Sequence, residues 1–407
     1  MTQSANNIAR GEVTILIGPN GYGKTTRLVE LKDDLEKKGE HVLFIPSEIK
    51  LMDEVKDTVD TSQTMEFLLE EILETPEYIA KKESLFAEAD QAIKDNLDFM
   101  NGIVDEVLAI NKSSRTVDFI APNPKKRAVK GIVSINQADI KGSMGSGQRM
   151  RLLLKLASNS SKQHIFLDEP EKYSHPSLLN GTASAINDLV ASGKSVYIAT
   201  HSPKLVSMLD IDLSCIKVIN DTSHTLKEIP FDEVVKECAS IFNTGALESR
   251  FKKYYLDGDS LKDCIKKRHY RAFIETLFTQ RVFLCEGAND ELYVNASLQK
   301  NGGYYGDYCI FKVWGKSNLL VFKGLFDKLG ISTVILFDTD DETRFPHAEL
   351  NPILRAFRPQ SIVIEHNPRL EVEIGYKGEK RDALAFIEYC ESVDIPALEN
   401  NSCCPTV

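Results

Sequence analysis

Apolar residues along this chain follow two rhythms. Short unbroken runs, Val13-Thr14-Ile15-Leu16-Ile17, His41-Val42-Leu43-Phe44-Ile45, His164-Ile165-Phe166-Leu167 and Ser195-Val196-Tyr197-Ile198-Ala199, have the length of buried strands. Ile132-Val133-Ser134-Ile135 is a weaker strand signal. Between them, Thr26 to Lys38 and Gln148 to Ala157 repeat apolar positions at helical spacing. The same alternation returns with Val282-Phe283-Leu284-Cys285, a helix from Asp290, and Val334-Ile335-Leu336-Phe337. Strand–helix alternation of this kind predicts α/β layers with parallel sheets.

Two stretches break the alternation. From Leu51 to Asn101 glycine is absent and acidic residues are dense, with apolar positions at Met65, Leu69, Ile72 and then Ile93, Leu97, Met100, Val104. This predicts a helical insertion over about 51–110, a paired-helix arm inside the first α/β region. Residues 111–130 read as a polar, basic loop containing Pro122 and Pro124. Phe231 to Leu277 reads as mainly helical and as a link between two domains. The division expected is 1–278, with the linker at about 231–278, and 279–407, with the break near Phe278.

Composition adds bounds. A chain of 407 residues, 42% hydrophobic and 27% charged, suits two or three soluble domains. No apolar run reaches bilayer length, and Met1 to Arg10 carries no apolar core of a secretory signal. The eight cysteines form no C-x-x-C pair, which argues against a zinc site or a disulfide framework and for a reduced, cytoplasmic protein. A net charge of −11 weighs against broad nonspecific DNA binding. Lys125-Lys126-Arg127 with Lys130, and Lys266-Lys267-Arg268, are local exceptions that could meet a phosphate backbone or simply be solvated.

The densest chemistry follows the first strand. Gly18-Pro19-Asn20-Gly21-Tyr22-Gly23-Lys24-Thr25 fits G-x-x-x-x-G-K-[ST] at every fixed position and leads into a helix. Gly18, Gly21 and Gly23, with Asn20, let successive backbone N–H groups face one polyphosphate, and the helix N-terminus adds positive potential. Lys24 can reach the β- and γ-phosphates, Thr25 can hold Mg²⁺, and Thr26 completes the cradle. Ile165 to Pro170 is a buried strand ending in two acids: Asp168 for Mg²⁺ and Glu169 to polarise the attacking water. Upstream, Gly142-Ser143-Met144-Gly145-Ser146-Gly147-Gln148-Arg149 precedes a helix, and Ala199-Thr200-His201-Ser202-Pro203 ends a strand.

In this order, the motifs resemble the SMC/RecF-like branch of ABC-type ATPases. The resemblance makes 142–149 the signature loop, with Ser146 and Gln148 in ATP binding and Gly145 standing where a serine is usual. It makes His201 the switch histidine. It implies a head-to-head dimer with ATP held between Lys24 of one subunit and Ser146 of the other. The glutamine expected after the third strand of that branch is not evident; Ser47 or Glu48 sits near that place.

A second acidic set lies downstream. Glu286 ends a strand in Glu286-Gly287-Ala288-Asn289-Asp290, and Asp338-Thr339-Asp340 ends another. Bringing two such clusters together is costly without a cation. The E-G-x-x-D and D-x-D pair resembles the Toprim domain. Joined to an ABC-type ATPase, it resembles the OLD (overcoming lysogenization defect) family of ATP-dependent nucleases. That resemblance implies a further acid, for which Glu371 is the choice ahead of Glu373, and a lysine, Lys380, to stabilise charge on the scissile phosphate. Arg381 replaces a proline often found there. The metal set expected is Glu286, Asp290, Asp338, Asp340 and Glu371, holding Mg²⁺ or Mn²⁺, with DNA as substrate and a role in anti-phage defence, alone or with a partner defence protein. Two other outputs stay open: a regulatory ATPase scaffolding a separate effector, with a binding-only Toprim half, and topoisomerase-like strand passage.

Overall fold

A computed structural model describes residues 11–47, 99–104, 117–119, 133–135, 146–172, 175, 177–221, 223–242, 245–300, 308–379, 382–395 and 398. The chain divides into two compact units, one from residues 1–16 and 23–215, the other from 17–22 and 216–407. Most of the expected helical insertion lies outside the described residues, as do the basic stretch 125–130, the turn 142–145 and Lys380. Residues 99–104 are helical, with Met100 and Val104 buried.

In the first unit, β1 (Val13–Ile17) leads into α1 (Lys24–Lys37) and β2 (Val42–Ile45) follows. The weak strand signal becomes β4 (Val133–Ile135), paired antiparallel with β3 (Val117–Phe119). Then come α2 (Ser146–Ser158), β5 (His164–Asp168), α3 (Leu179–Ala191), β6 (Ser195–Ala199) and α4 (Pro203–Met208). The order β2-β5-β6-β1 is parallel throughout. β1, β5 and β6 are buried at all five positions, which is why they read as unbroken apolar runs. Phe166 and Tyr197 stack across neighbouring strands, ring centroids 4.3 Å apart and 5° from parallel. Their contact fixes β5 beside β6 and aligns the two strand ends that carry Asp168 and Thr200.

The second unit contains the antiparallel pair β7 (Ile216–Val218) and β8 (Lys227–Glu228). The 231–277 region is helical as read: α5 (Phe231–Ile241), α6 (Gly245–Lys252), α7 (Gly258–Cys264), a π turn at Ile265–His269, and α8 (Tyr270–Thr276). These helices fall within the second unit. Next come β9 (Arg281–Cys285), α9 (Ala288–Lys300), β10 (Tyr308–Lys312), α10 (Lys316–Leu329), β11 (Ser332–Asp338), α11 (His347–Arg355), β12 (Ile362–His366), α12 (Leu370–Glu373) and α13 (Ala383–Ser392).

The sheet runs β10-β9-β11-β12, all parallel. The chain goes from β9 outward to β10, then crosses back to β11 on the other side of β9. Right-handed crossovers in opposite directions send α9 and α10 to opposite faces. Beside α9, Tyr293 and Val294 pack with Leu370, Phe386 and Cys390. Beside α10, Phe322 and Phe326 pack edge-on against Phe311 of β10. A parallel sheet that reverses direction opens a crevice at the carboxyl ends of its strands, where the order switches. That place lies between β9 and β11, and the acids of both motifs are there.

Candidate functional site

In the first unit, three strands deliver side chains to one edge. Thr25, in the first turn of α1, donates its hydroxyl to Asp168 Oδ1 at 2.8 Å, across 143 residues of sequence. Two oxygen ligands of the kind Mg²⁺ takes therefore already touch. Lys24 is only 3% exposed. Burial pushes its ammonium down to about 8, against the pull of Glu169, Glu171 and Asp168. Gly21 and Gly23 hold φ of 82° and 77°, the left-handed region that frees loop N–H groups to face an anion. At Gly18 (φ 146°) a Cβ would lie 1.9 Å from the Ile219 carbonyl oxygen, so no other residue fits. Asn20, Gly21 and Thr26 are exposed.

Glu169 adopts φ 45°, uncommon for a side chain of its size, while its N–H donates to Ala199 O at 2.8 Å. Its carboxylate meets His201 Nε2 at 3.3 Å and Lys172 Nζ at 3.6 Å. Burial and the Lys24 ammonium hold the His201 imidazole below its ordinary value, although Glu169 and Asp168 oppose them. A neutral ring can thus sit beside the carboxylate. Ser146 opens α2, and Gln148 is half-buried in its first turn.

Glu171 is a residue that the motifs did not reveal. Its Oε1 accepts from the Thr200 hydroxyl at 2.7 Å and from the His201 N–H at 2.8 Å, tying the β5 loop to the switch segment. Burial raises its carboxyl, and Oε2 has no hydrogen-bond partner among the described residues. Its one sequence signal is a third acid just beyond the Asp168-Glu169 pair.

In the second unit, Cys285 pairs with Leu336, so Glu286 and Asp338 emerge at the carboxyl ends of adjacent strands, which are spaced about 5 Å apart. Burial pushes the Glu286 carboxyl up to about 8; Lys316 opposes this, while Asp338, Asp290 and Asp340 reinforce it. The four predicted acids are therefore close enough to feel one another. Glu286 Oε2 is buried with no hydrogen-bond partner among the described residues.

The other acids are already engaged. Asp290 Oδ2 accepts from Gly287 N–H at 2.7 Å, closing the turn into α9. Asp338 Oδ1 accepts from Leu370 N–H at 2.9 Å. Asp340, at φ 53°, takes Lys316 Nζ at 2.9 Å on one oxygen and Arg369 Nε at 3.1 Å on the other. Burial works to raise its carboxyl, but these cations outweigh it and hold Asp340 below the usual range. Glu371 Oε1 accepts from Asn289 Nδ2 at 2.6 Å, next to Asp290. Glu373 turns to the end of β12, accepting from Asn367 N–H at 3.0 Å. Of the two candidates, Glu371 thus contacts the first turn of α9 and Glu373 the loop after β12.

Lys316, 4% exposed and also 2.8 Å from His347 Nδ1, and Arg369 were missed by motif reading. Among the described residues, no group of three or more His, Cys, Asp or Glu is spaced to hold a metal ion as it stands. The donor set is nonetheless all carboxylate oxygen, which suits a hard divalent cation, and the unpartnered oxygen of Glu286 points to one.

Two sites, each at the strand ends of a parallel-stranded sheet, thus define the class: a P-loop ATPase region followed by a Toprim-type acidic centre. Comparison with known proteins agrees. Residues 2–172 match the ABC transporter family model, and residues 277–340 match the model described as overcoming lysogenization defect protein-like, TOPRIM domain. The Old nuclease of Escherichia phage P2 is 29% identical over 186 residues, 45% of this chain and 28% of that protein. ABC transporter G family member 1 of Dictyostelium discoideum is 25% identical over 207 residues, 50% of this chain and 24% of that protein. The chain thus matches about a quarter of the length of each relative. A dimeric bacterial ABC transporter cassette covers 53% of this chain and 84% of its own, at 15% identity and a TM-score of 0.31. Among the described residues, no helix is long and apolar enough to cross a membrane.

Proposed function

We propose that the chain is an ATP-gated, divalent-metal-dependent DNA nuclease of the OLD type. One observation carries this reading: a buried carboxylate, Glu286, lies at the topological switch point beside three more acids, with one oxygen that has no hydrogen-bond partner among the described residues. Glu286, Asp338 and Asp340 would hold Mg²⁺ or Mn²⁺, with Asp290 and Glu371 in support. The bound cation supplies Lewis acidity and a water of lowered pKa. Lys316 and Arg369 then exchange part of their hold on Asp340 for the scissile phosphate. Lys380 serves the same developing charge.

In the first unit Lys24 binds the terminal phosphates of ATP, Thr25 and Asp168 hold Mg²⁺, and Glu169 orients the attacking water beside His201. Ser146 of the partner subunit closes the site in a head-to-head dimer. The division of labour is 1–278 for ATP and 279–407 for cleavage, in the cytoplasm, as part of anti-phage defence.

A second reading is a regulatory ATPase whose Toprim half binds without cutting. It is favoured by the carboxylates of Asp290, Asp338 and Asp340 already being hydrogen-bonded within the protein. Supercoiled plasmid incubated with Mg²⁺ or Mn²⁺, with and without ATP, separates the readings. Nicked or linear product that disappears in Asp338→Ala, with ATP turnover retained, supports the nuclease. ATP turnover with intact plasmid supports the scaffold, and closed relaxed circles support a topoisomerase.

A further inference from the structure

The chain has a single tryptophan, Trp314, and it is 60% exposed. Its position is more telling than its exposure. It stands in the turn between β10 and α10, two residues before Lys316. The turn is fastened to the strand that carries Glu286: Val313 N–H donates to Cys285 O at 3.0 Å, and Gly315 N–H donates to Glu286 O at 3.2 Å. Asn318 Nδ2 donates to Val313 O at 2.7 Å and to Trp314 O at 3.3 Å, bracing the turn from the helix side. Trp314 itself is held at φ 58°, a conformation rare for a bulky side chain and concentrated at functional sites. Folding thus places a large aromatic in water, in a strained backbone, one residue from a main-chain bond to Glu286.

The ring is prepared for one kind of contact. Lys312 Nζ lies 4.7 Å from the indole centroid, and that ammonium is held in turn by Glu291 Oε2 at 2.6 Å. The ammonium takes one part of the ring and leaves the rest of the exposed indole for a planar partner. Phe345, 47% exposed, stands on the loop after β11. The two loops are joined by the 2.8 Å contact between Lys316 and His347, each two residues beyond its aromatic. Exposed aromatics therefore stand on the loops that leave the two strands flanking β9, the strand that leads into Glu286.

We propose that Trp314 is a stacking platform for an unpaired nucleobase of single-stranded DNA, with Phe345 as a second platform. Stacking on an aromatic is sequence-tolerant, because every base has a π-face, and it adds to whatever phosphate contacts are made. That matters in a chain of net charge −11, where phosphate attraction is confined to local cations such as Lys316 and Arg369. A base inside a duplex has no free face to offer, so the centre favours single-stranded, frayed or distorted DNA. This rests on the reading that nucleic acid binds at the acidic centre, but not on that centre cutting it.

Because Trp314 is the sole tryptophan, its emission reports the contact directly. The full chain is titrated with a 20-nucleotide oligo(dT) in Ca²⁺, and binding is followed separately by anisotropy of a labelled copy. The expected result is quenching that saturates with the anisotropy. Trp314→Ala should weaken oligo(dT) binding at least about fivefold, and Trp314→Phe should recover most of it, with ATP turnover unchanged in both. A blunt duplex of the same length should quench less. Unchanged emission at saturating oligo(dT), equal affinity of Trp314→Ala and wild type, or no oligo(dT) binding at all would overturn the proposal. Quenching by a wild-type protein that never cuts DNA would sink the nuclease reading and leave the stacking site. Cutting without quenching would do the reverse.

Discussion

Replacing Glu286 by Gln removes one ionisable group from the acidic crevice and keeps its shape. The ordinary carboxyl value of 4.5 applies to the unfolded chain, and in the fold it is about 8. A raised acid keeps its proton in the fold after the unfolded chain has lost it. Stability therefore falls as pH rises from about 4.5 to 8 and levels off above. The gap is worth about 5 kcal/mol in full, and about 3 kcal/mol of it develops between pH 5.5 and 8.5. Glu286→Gln lacks that slope. Urea unfolding in EDTA, followed by the emission of Trp314 in the same unit, should show the variant gaining about 3 kcal/mol on wild type across this range. Parallel pH dependences, within about 1 kcal/mol, would refute a buried, coupled Glu286. The same linkage predicts that Mn²⁺ binding to wild type releases a proton, so apparent affinity rises with pH up to about 8. An affinity that is flat from pH 6 to 8 would mean the cation does not use this carboxylate.

Three other outcomes are expected. Glu169→Gln should lower ATP turnover by roughly 10²–10⁴ while nucleotide binding persists, since only the acceptor for the attacking water is lost; a loss under threefold would remove Glu169 from the reaction. Gly18→Ala forces a Cβ to within 1.9 Å of the Ile219 carbonyl oxygen, so the loop must rebuild, and thermal stabilisation by ATP should vanish; retained stabilisation would show that the loop can yield. Lys24, pushed down to about 8, is charged below that pH and neutral above it, so ATP affinity should decline above pH 8, approaching tenfold per pH unit, in equilibrium binding without turnover. A flat profile to pH 9.5 would contradict the buried, depressed ammonium.

The contiguous motifs were legible because their chemistry needs fixed residue types at fixed spacing. A loop that wraps phosphate must carry glycines where φ turns positive, and Gly21 and Gly23 do so at 82° and 77°. A parallel strand covered on both sides must be mainly apolar, and β1, β5 and β6 are buried at every position with only Thr14, His164, Asp168 and Ser195 polar. The strands missed were β3, which lies inside the stretch read as a loop, β7, β8, β10 and β12; the last two are mostly half-buried and therefore without a clean apolar run. Glu171, Lys316 and Arg369 were missed for another reason. Each acts through a partner far away in sequence, and a lone charged residue on a turn carries no mark of that partner.

Sequence alone, then, determined which local segments could cradle phosphate and which strand ends would carry acids, because backbone conformation and burial are imposed residue by residue. Only the tertiary structure decided that Thr25 meets Asp168, and that of Glu371 and Glu373 it is Glu371 that reaches Asn289 beside the crevice. Only it showed a buried lysine and an arginine holding Asp340. Coulomb forces and hydrogen bonds act through space, and the strand order that closes those distances is a property of the whole sheet.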